Sequence, residues 1–370
     1  MTAMDATISR MPAPRWVDRP DDLHASLARC GDLVALDTEF QRTDTFYPIA
    51  GLFQLAVRDA VWLVDPLAIE DFSQLVGLLE DPTVTKVMHA CPEDLELLWC
   101  RLRTHPANVF DTQLAYAFLS TRYSIGFTGL VAAELGIELQ QSQTRSNWLR
   151  RPLSAEQLRY AAEDAWYLIA LYEQLAERLE RSGRLDWLRE DLRSHTMWRD
   201  GEPDAYYRDV GRAWSLDRTE LGRLKALCTW RELRTRELDI PRKRLVPDDD
   251  LFTMARQSVL TLDGLAQMLP PGAVKRHGSA LIAAHAQALP VDETLPAPLT
   301  PGENRQVKRL RDIASAKAEQ LGMAPELLAR RRDVETLFRH FRQTGELSAR
   351  YAGWRRDVVG DALLQALRGM

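Results

Sequence analysis

At 370 residues the chain is too long for one ordinary domain and implies two or three. It is 45% hydrophobic and 27% charged, with a net charge of −5 and four scattered cysteines (Cys30, Cys91, Cys100, Cys228). That balance suits a soluble globular protein and excludes a disulfide scaffold and a paired-cysteine zinc site. No apolar run approaches the roughly 20 residues of a membrane span, and the first residues, MTAMDATISRMPAPRW, carry no export signal, so no membrane is expected and the cytoplasm is the expected location.

The charge is uneven. Residues 1–204 carry net −12, residues 205–290 net +4 and residues 301–370 net +5. An acidic front followed by two mildly basic segments suits a metal-binding catalytic part with modules that can meet phosphates. A merely solvated basic surface would look the same.

Along the chain, LVALDTEF (33–40) reads as a strand delivering its last residues to an edge or cleft. GLFQLAV (51–57) and VWLV (61–64) are two further strands joined by a hairpin-length turn. FSQLVGLLED (72–81) has helical spacing, and KVMHA (86–90) is a short strand running into a helix that opens with Pro92 and acids. Beyond Asp111 the pattern is mainly helical, the longest element running from about Ser154 to Arg181 with Ser154 and Gln157 as a capping box. The periodicity breaks over 201–216. Residues 217–285 are helical in pattern, 289–303 form an extended linker with Pro290, Pro296, Pro298 and Pro301, and 304–370 are helical again. The expected domains are therefore 1–204, 205–290, a linker at 291–303, and 304–370 as a loose second copy of the preceding helical module.

Three clusters carry chemistry. Asp37 and Glu39 are i and i+2 on a strand, so both carboxylates point to one face and repel each other unless a cation lies between them. A strand emerging into solvent could end the same way. Asp94 is the third residue of the helix after MHACPED, where a capping role competes with a ligand role and Glu93 and Glu96 are alternative carboxylates. Tyr160 and Asp164 are i and i+4 on one helix face, with Leu158, Ala161, Ala165, Leu168 and Leu171 forming the apolar stripe. There a carboxylate can hold a hard cation and a phenol can hydrogen-bond a water beside it. Together the four acids offer the oxygen ligands that two Mg²⁺ or Mn²⁺ ions need for phosphodiester hydrolysis, without a side-chain nucleophile.

LDTEF, HACPEDLE and YAAEDAWYL, in that order, resemble the three exonuclease motifs of the DEDD superfamily, and Tyr-x-x-x-Asp places them in its tyrosine-type branch. LDTEFQRTDTFYPIAGLFQLA, VFDTQLAYAF and SNWLRRPLSAEQLRYAAEDAWYL are similar to the ribonuclease D family, and LCTWRELRTRELDIPRKRLVPDDDLFTMAR to an HRDC domain. The resemblance implies a ribonuclease-H-like α/β exonuclease domain, a mixed sheet flanked by helices, followed by two all-α HRDC-like domains. It implies two divalent ions on Asp37, Glu39, Asp94 and Asp164, a water oriented by Tyr160, and contacts to the 3′-terminal nucleotide from Phe40 and the backbone around Thr38. His89 would line the same cleft. Trp148, Arg150 and Arg151 fit a Trp-x-x-Arg-Pro pattern of the family, the tryptophan either bracing the fold or touching RNA. Two positions depart from the pattern: Gln141 stands where a lysine is common and Asn147 where an aspartate is common, which touches substrate grip or packing and not the reaction. The implied activity is release of nucleoside 5′-monophosphates from RNA 3′ ends, with tRNA precursors as substrates, the helical modules holding the body of the RNA, and a monomer as the working form. A DNA exonuclease of the same branch is the near alternative, and a non-catalytic nucleic-acid adaptor the distant one.

Overall fold

The computed structural model describes residues 11–140, 143, 146–195 and 198–369. Residues 1–10, on which the expectation of no export signal partly rests, and Gln141 lie outside the described residues. The chain forms two compact units, one of residues 1–41, 50–198 and 299–370, the other of residues 42–49 and 199–298.

The first unit is built on a six-stranded mixed sheet. Its strands are β1 (Arg15–Val17), β2 (Leu33–Gln41), β3 (Ile49–Val57), β4 (Ala60–Val64), β5 (Thr85–Met88) and β6 (Val109–Asp111). They lie in the order β1-β4-β3-β2-β5-β6, with β3 and β4 antiparallel and β1/β4, β2/β5 and β5/β6 parallel. Strand alternation divides the core in two. Leu33 and Ala35 of β2 face one cluster with Leu52, Ala56 and Leu63, whereas Val34 and Leu36 face another with Phe53, Leu55 and Trp62. Helices α1 (Pro20–Leu27), α2 (Ser73–Glu80) and α3 (Pro92–Leu102) cover the second face through Leu23, Leu75, Leu79, Leu95 and Leu98. On the first face lie α4 (Thr112–Ala117), α5 (Phe127–Leu135), the long α6 (Ala155–Arg181) and α7 (Leu185–His195). The expected capping box at Ser154 and Gln157 is formed in both directions. β1, α1 and β6 have no counterpart in the sequence reading, being too short or too weakly periodic to stand out.

The last 70 or so residues share the core of the sheet's first face. They comprise α13 (Pro301–Gln320), α14 (Glu326–Ala329), α15 (Arg331–Thr344) and α16 (Asp361–Arg368). Asp191 of α7, 2% exposed, accepts two bonds from the Arg355 guanidinium at 2.5 and 2.6 Å and a third from Trp354 Nε1 at 3.0 Å. Trp354 stacks on Trp187 with centroids 5.0 Å apart. Arg184 reaches the carbonyls of Phe118 and Leu321, and the Ala324 N–H donates to Ala117 O. Residues 304–370, expected as a module of their own, are thus built into the core of the sheet domain.

The second unit centres on α8 (Arg218–Leu238), started by a capping box of Asp217 and Glu220. α9 (Arg242–Leu245), α10 (Asp248–Ala255), α11 (Leu262–Ala266) and α12 (Pro271–Ala286) complete it around Leu224, Cys228, Leu251, Met254 and Leu281. Residues 42–49, which join β2 to β3, belong here: the Phe46 and Tyr47 N–H groups both donate to Asp239, at 2.9 and 3.0 Å. Residues 289–291, expected in or beside a linker, lie against α8. Val291 N–H donates to Arg218 O, and a Cβ on Gly222 would come 2.0 Å from Leu289 O, so only glycine fits there.

Candidate active site

The alternation of β2 decides where its acids go. Asp37 and Glu39 continue the odd-numbered set that begins at Leu33 and Ala35, so they emerge on the face covered by α6. α6 packs across β2, β4 and β5, and Asp164 stands on it beside them. One carboxylate oxygen from each of Asp37, Glu39 and Asp164 lies within 4.8 Å of the others. Two elements far apart in sequence thus meet as one acidic cluster.

Asp94 does not join that group of three. It sits in the first turn of α3, on the opposite face, 8% exposed. Thr38, the even-numbered residue between the two β2 acids, points to that face and donates its hydroxyl to Asp94. The charge of Asp94 still reaches Asp37 and Glu39 and raises both their pKa values. Of the two alternatives to Asp94, Glu93 is exposed and Glu96 is half-buried.

The electrostatics are those of a site short of positive charge. Burial first, and the neighbouring carboxylates next, push Asp37 well above the usual carboxylate range, Glu39 to about 10 and Asp164 to about 8. Asp94 rises to about 7, mainly through burial, with the Thr38 hydroxyl pulling the other way. Tyr160 hydrogen-bonds Asp164, and its phenol is raised further above its ordinary value by burial and by the acids around it. It therefore stays a neutral donor. Carboxylates drawn from three elements, buried and repelling one another, are a donor set that fits hard divalent cations.

Other expected residues have clear local settings. Phe40 is half-buried at the end of β2 and packs on the α1–α3 side of the core. His89 has a partner at each ring nitrogen, Thr112 Oγ1 at 2.9 Å and Ile125 O at 3.1 Å, and its ring meets Phe127 edge-on. Burial lowers its pKa, which favours the neutral ring. A contact from His89 to substrate would have to use the ring's carbon edge. Trp148 is 1% exposed and so braces the fold, its ring 6.1 Å from that of Tyr160. Arg151 forks onto Asp65 at 2.5 and 2.7 Å and also reaches the carbonyls of Gly51 and Trp148. Asn147 accepts the Leu149 N–H, a local turn bond.

Two positioning groups escaped the sequence reading. One is the Thr38 hydroxyl. The other is Asp111, 6% exposed, which accepts the N–H groups of Ala90, Cys91, Gln113 and Leu114. It thereby fixes the turn into α3, where Ala90 adopts φ 52°, and caps α4. The only advance signal was an aspartate directly before a helix start.

The chain is similar to known nucleases over nearly its whole length. Residues 14–180 match the 3′-5′ exonuclease family, and residues 220–284 match the HRDC domain. Ribonuclease D of Pseudomonas paraeruginosa is 41% identical over 96% of this chain and 98% of its own length. Ribonuclease D of Escherichia coli is 35% identical, over 94% and 97% respectively. The crystal structure of the Escherichia coli enzyme, described as an exoribonuclease involved in structured RNA processing, superposes with a TM-score of 0.88 at 33% identity, covering 97% of this chain and 99% of that one.

Proposed function

The chain belongs to the ribonuclease D family of 3′-to-5′ exoribonucleases, and we propose that its acidic site removes nucleoside 5′-monophosphates one at a time from RNA 3′ ends. The observation that carries this reading is the convergence of Asp37, Glu39 and Asp164 within 4.8 Å, with Asp94 bonded to the Thr38 hydroxyl and its charge reaching Asp37 and Glu39. Those four carboxylates would hold two divalent ions, Mg²⁺ or Mn²⁺. When bound, such ions lower the pKa of a water and stabilise charge on the attacking and leaving oxygens.

The protein's own groups do the rest. Asp37 and Glu39 are fixed by the pleat of a central strand, so their spacing does not depend on a loop. Tyr160, neutral and tied to Asp164, would orient a water beside the acids through its hydroxyl oxygen rather than deprotonate it. Phe40 and the backbone around Thr38 receive the terminal nucleotide, base stacking on an aromatic ring being worth about 1–3 kcal/mol. The natural substrates in this reading are structured RNAs with a single-stranded 3′ tail, tRNA precursors first among them, and the enzyme works as a monomer. Among the described residues no helix is long and apolar enough to cross a membrane.

Digestion of a tRNA carrying a 3′ extension tests the proposal. A ladder of 5′-monophosphates, ending at the folded acceptor stem and absent when the 3′ hydroxyl is blocked, is the expected result. Internal cleavage, or indifference to the blocked end, would overturn it, and equal digestion of a matched DNA would overturn the preference for RNA.

A further inference from the structure

The loop that leads into α6 is held by one arginine, and every N–H donor of the Arg151 guanidinium has an acceptor. Nε and Nη2 meet the two carboxylate oxygens of Asp65 at 2.7 and 2.5 Å. Nη2 also donates to Gly51 O at 2.7 Å, and Nη1 to Trp148 O and Arg150 O at 2.9 and 3.0 Å. The Trp16 ring lies against the same guanidinium, its centroid 5.4 Å away. No donor remains for a phosphate, so Arg151 cannot keep these bonds and also grip RNA. Asp65 directly follows β4, Gly51 belongs to β3 and Trp16 to β1. Arg151 therefore ties its loop to three neighbouring strands of the sheet. Asp65 is itself fixed, being 5% exposed and accepting the Leu67 N–H at 2.9 Å.

What this anchor controls is Trp148. The indole is buried, yet its Nε1 has no hydrogen-bond partner among the described residues, so no bond of its own locates the ring. Its backbone does so instead. Arg151 clamps the Trp148 carbonyl, and the bare Cα of Gly51 admits the Trp148 Cβ and carbonyl oxygen, which a Cβ there would meet at 2.7 and 2.9 Å. The indole in turn packs against Tyr160, with the ring planes tilted by 35°. Tyr160 stands in the second turn of α6, and its hydroxyl bonds Asp164. That bond restrains the tip of the phenol, whereas the indole restrains its ring. Catalysis is sensitive to such restraint, because misplacing a group by about 1 Å can cost about 100-fold in rate.

We infer that Arg151, held by Asp65, is a positioning residue for the reaction: through Trp148 it sets where the Tyr160 hydroxyl stands beside the acids. This rests on the reading of Tyr160 as the group that orients the attacking water. Neither Asp65 nor Arg151 touches substrate, so their loss slows the chemistry without loosening the RNA.

The test is a double-mutant cycle in the full chain: wild type, Arg151→Lys, Tyr160→Phe and the two combined. Single-turnover rates are measured on a 5′-labelled single-stranded RNA in saturating MgCl₂, and RNA affinity by fluorescence anisotropy in EDTA. Lysine keeps the charge beside Asp65 but offers a compact ammonium in place of the planar fork. Arg151→Lys should lower the rate about tenfold, with RNA affinity unchanged. In the Tyr160→Phe background the same change should cost less than about twofold, because the hydroxyl it positions is already gone. Asp65→Asn should show the same pattern with a smaller loss, and it serves if circular dichroism melts show that Arg151→Lys impairs folding. A role confined to stabilising the fold would slow both backgrounds equally. Equal losses in the two backgrounds, an undiminished rate for Arg151→Lys, or RNA affinity falling in step with the rate would overturn the proposal. Tyr160→Phe turning over at the wild-type rate would instead refute the parent reading of Tyr160, and the proposal with it.

Discussion

Replacing Asp164 with asparagine should make the metal-free protein more stable while removing its stabilisation by Mg²⁺. Asp164 is raised from the ordinary 3.8 to about 8 by burial and by Asp37. A carboxyl whose folded pKa lies above its unfolded one stabilises the fold below about pH 4, and that stability is lost as pH rises toward 8, because the folded state holds the extra proton. Each such pH unit is worth about 1.4 kcal/mol, so the window sets a ceiling of about 6 kcal/mol. Water in a half-open site screens much of this, leaving about 1–3 kcal/mol at pH 8. Asparagine keeps the shape and the acceptor for Tyr160 but carries no charge. In EDTA at pH 8 the variant should therefore melt higher than wild type, by about 2–4 °C per kcal/mol. Wild type should gain about 2.7 kcal/mol from Mg²⁺ at a hundred times its dissociation constant, a gain that shrinks at pH 6, where protons compete for the same oxygens. Melts followed by circular dichroism at both pH values, with EDTA or MgCl₂, read all of this. A variant less stable than wild type in EDTA, or one stabilised by Mg²⁺ as strongly as wild type, would refute the reasoning.

Tyr160→Phe should cut turnover about 10–100-fold with little change in Mg²⁺ requirement, since it removes an orienting hydroxyl and no ligand; single-turnover kinetics check it. Thr38→Val removes the hydroxyl that holds Asp94 and should raise the Mg²⁺ concentration for half-maximal activity about tenfold, while Thr38→Ser restores it. Gly51→Ala should destabilise the first unit by about 1–3 kcal/mol in urea melts, because the new Cβ would stand 2.7 Å from Trp148 Cβ and 2.9 Å from its carbonyl oxygen.

The acids were legible in the sequence because two simple periods place them. An i, i+2 pair must share a strand face, and an i, i+4 pair must share a helix face, so Asp37 with Glu39 and Tyr160 with Asp164 were already paired before any fold was known. The hairpin of β3 and β4 and the capped start of α6 were legible for the same reason, their signals lying within a few residues. What escaped depends on partners far along the chain. Nothing near Thr38 announces Asp94, and nothing near Asp191 announces Trp354 and Arg355, more than 160 residues away, so residues 304–370 read as a separate module although they share the sheet domain's core. Likewise nothing within 42–49 announces Asp239, which collects the N–H groups of Phe46 and Tyr47 within the helical unit. His89 preceded a motif and so invited a role at the substrate, but its two ring nitrogens meet Thr112 and Ile125.

The central claim is that Asp37, Glu39, Asp94 and Asp164 act together as the catalytic site for 3′-end hydrolysis. It is tested most directly by incubating a 5′-labelled single-stranded RNA with wild type and Asp37→Ala, in MgCl₂ and in EDTA, and resolving products at single-nucleotide steps. The account predicts a one-nucleotide ladder for wild type in MgCl₂ alone, and a rate at least about 10³-fold lower for Asp37→Ala with RNA binding intact. Undiminished ladder formation by Asp37→Ala, or by wild type in EDTA, would contradict it.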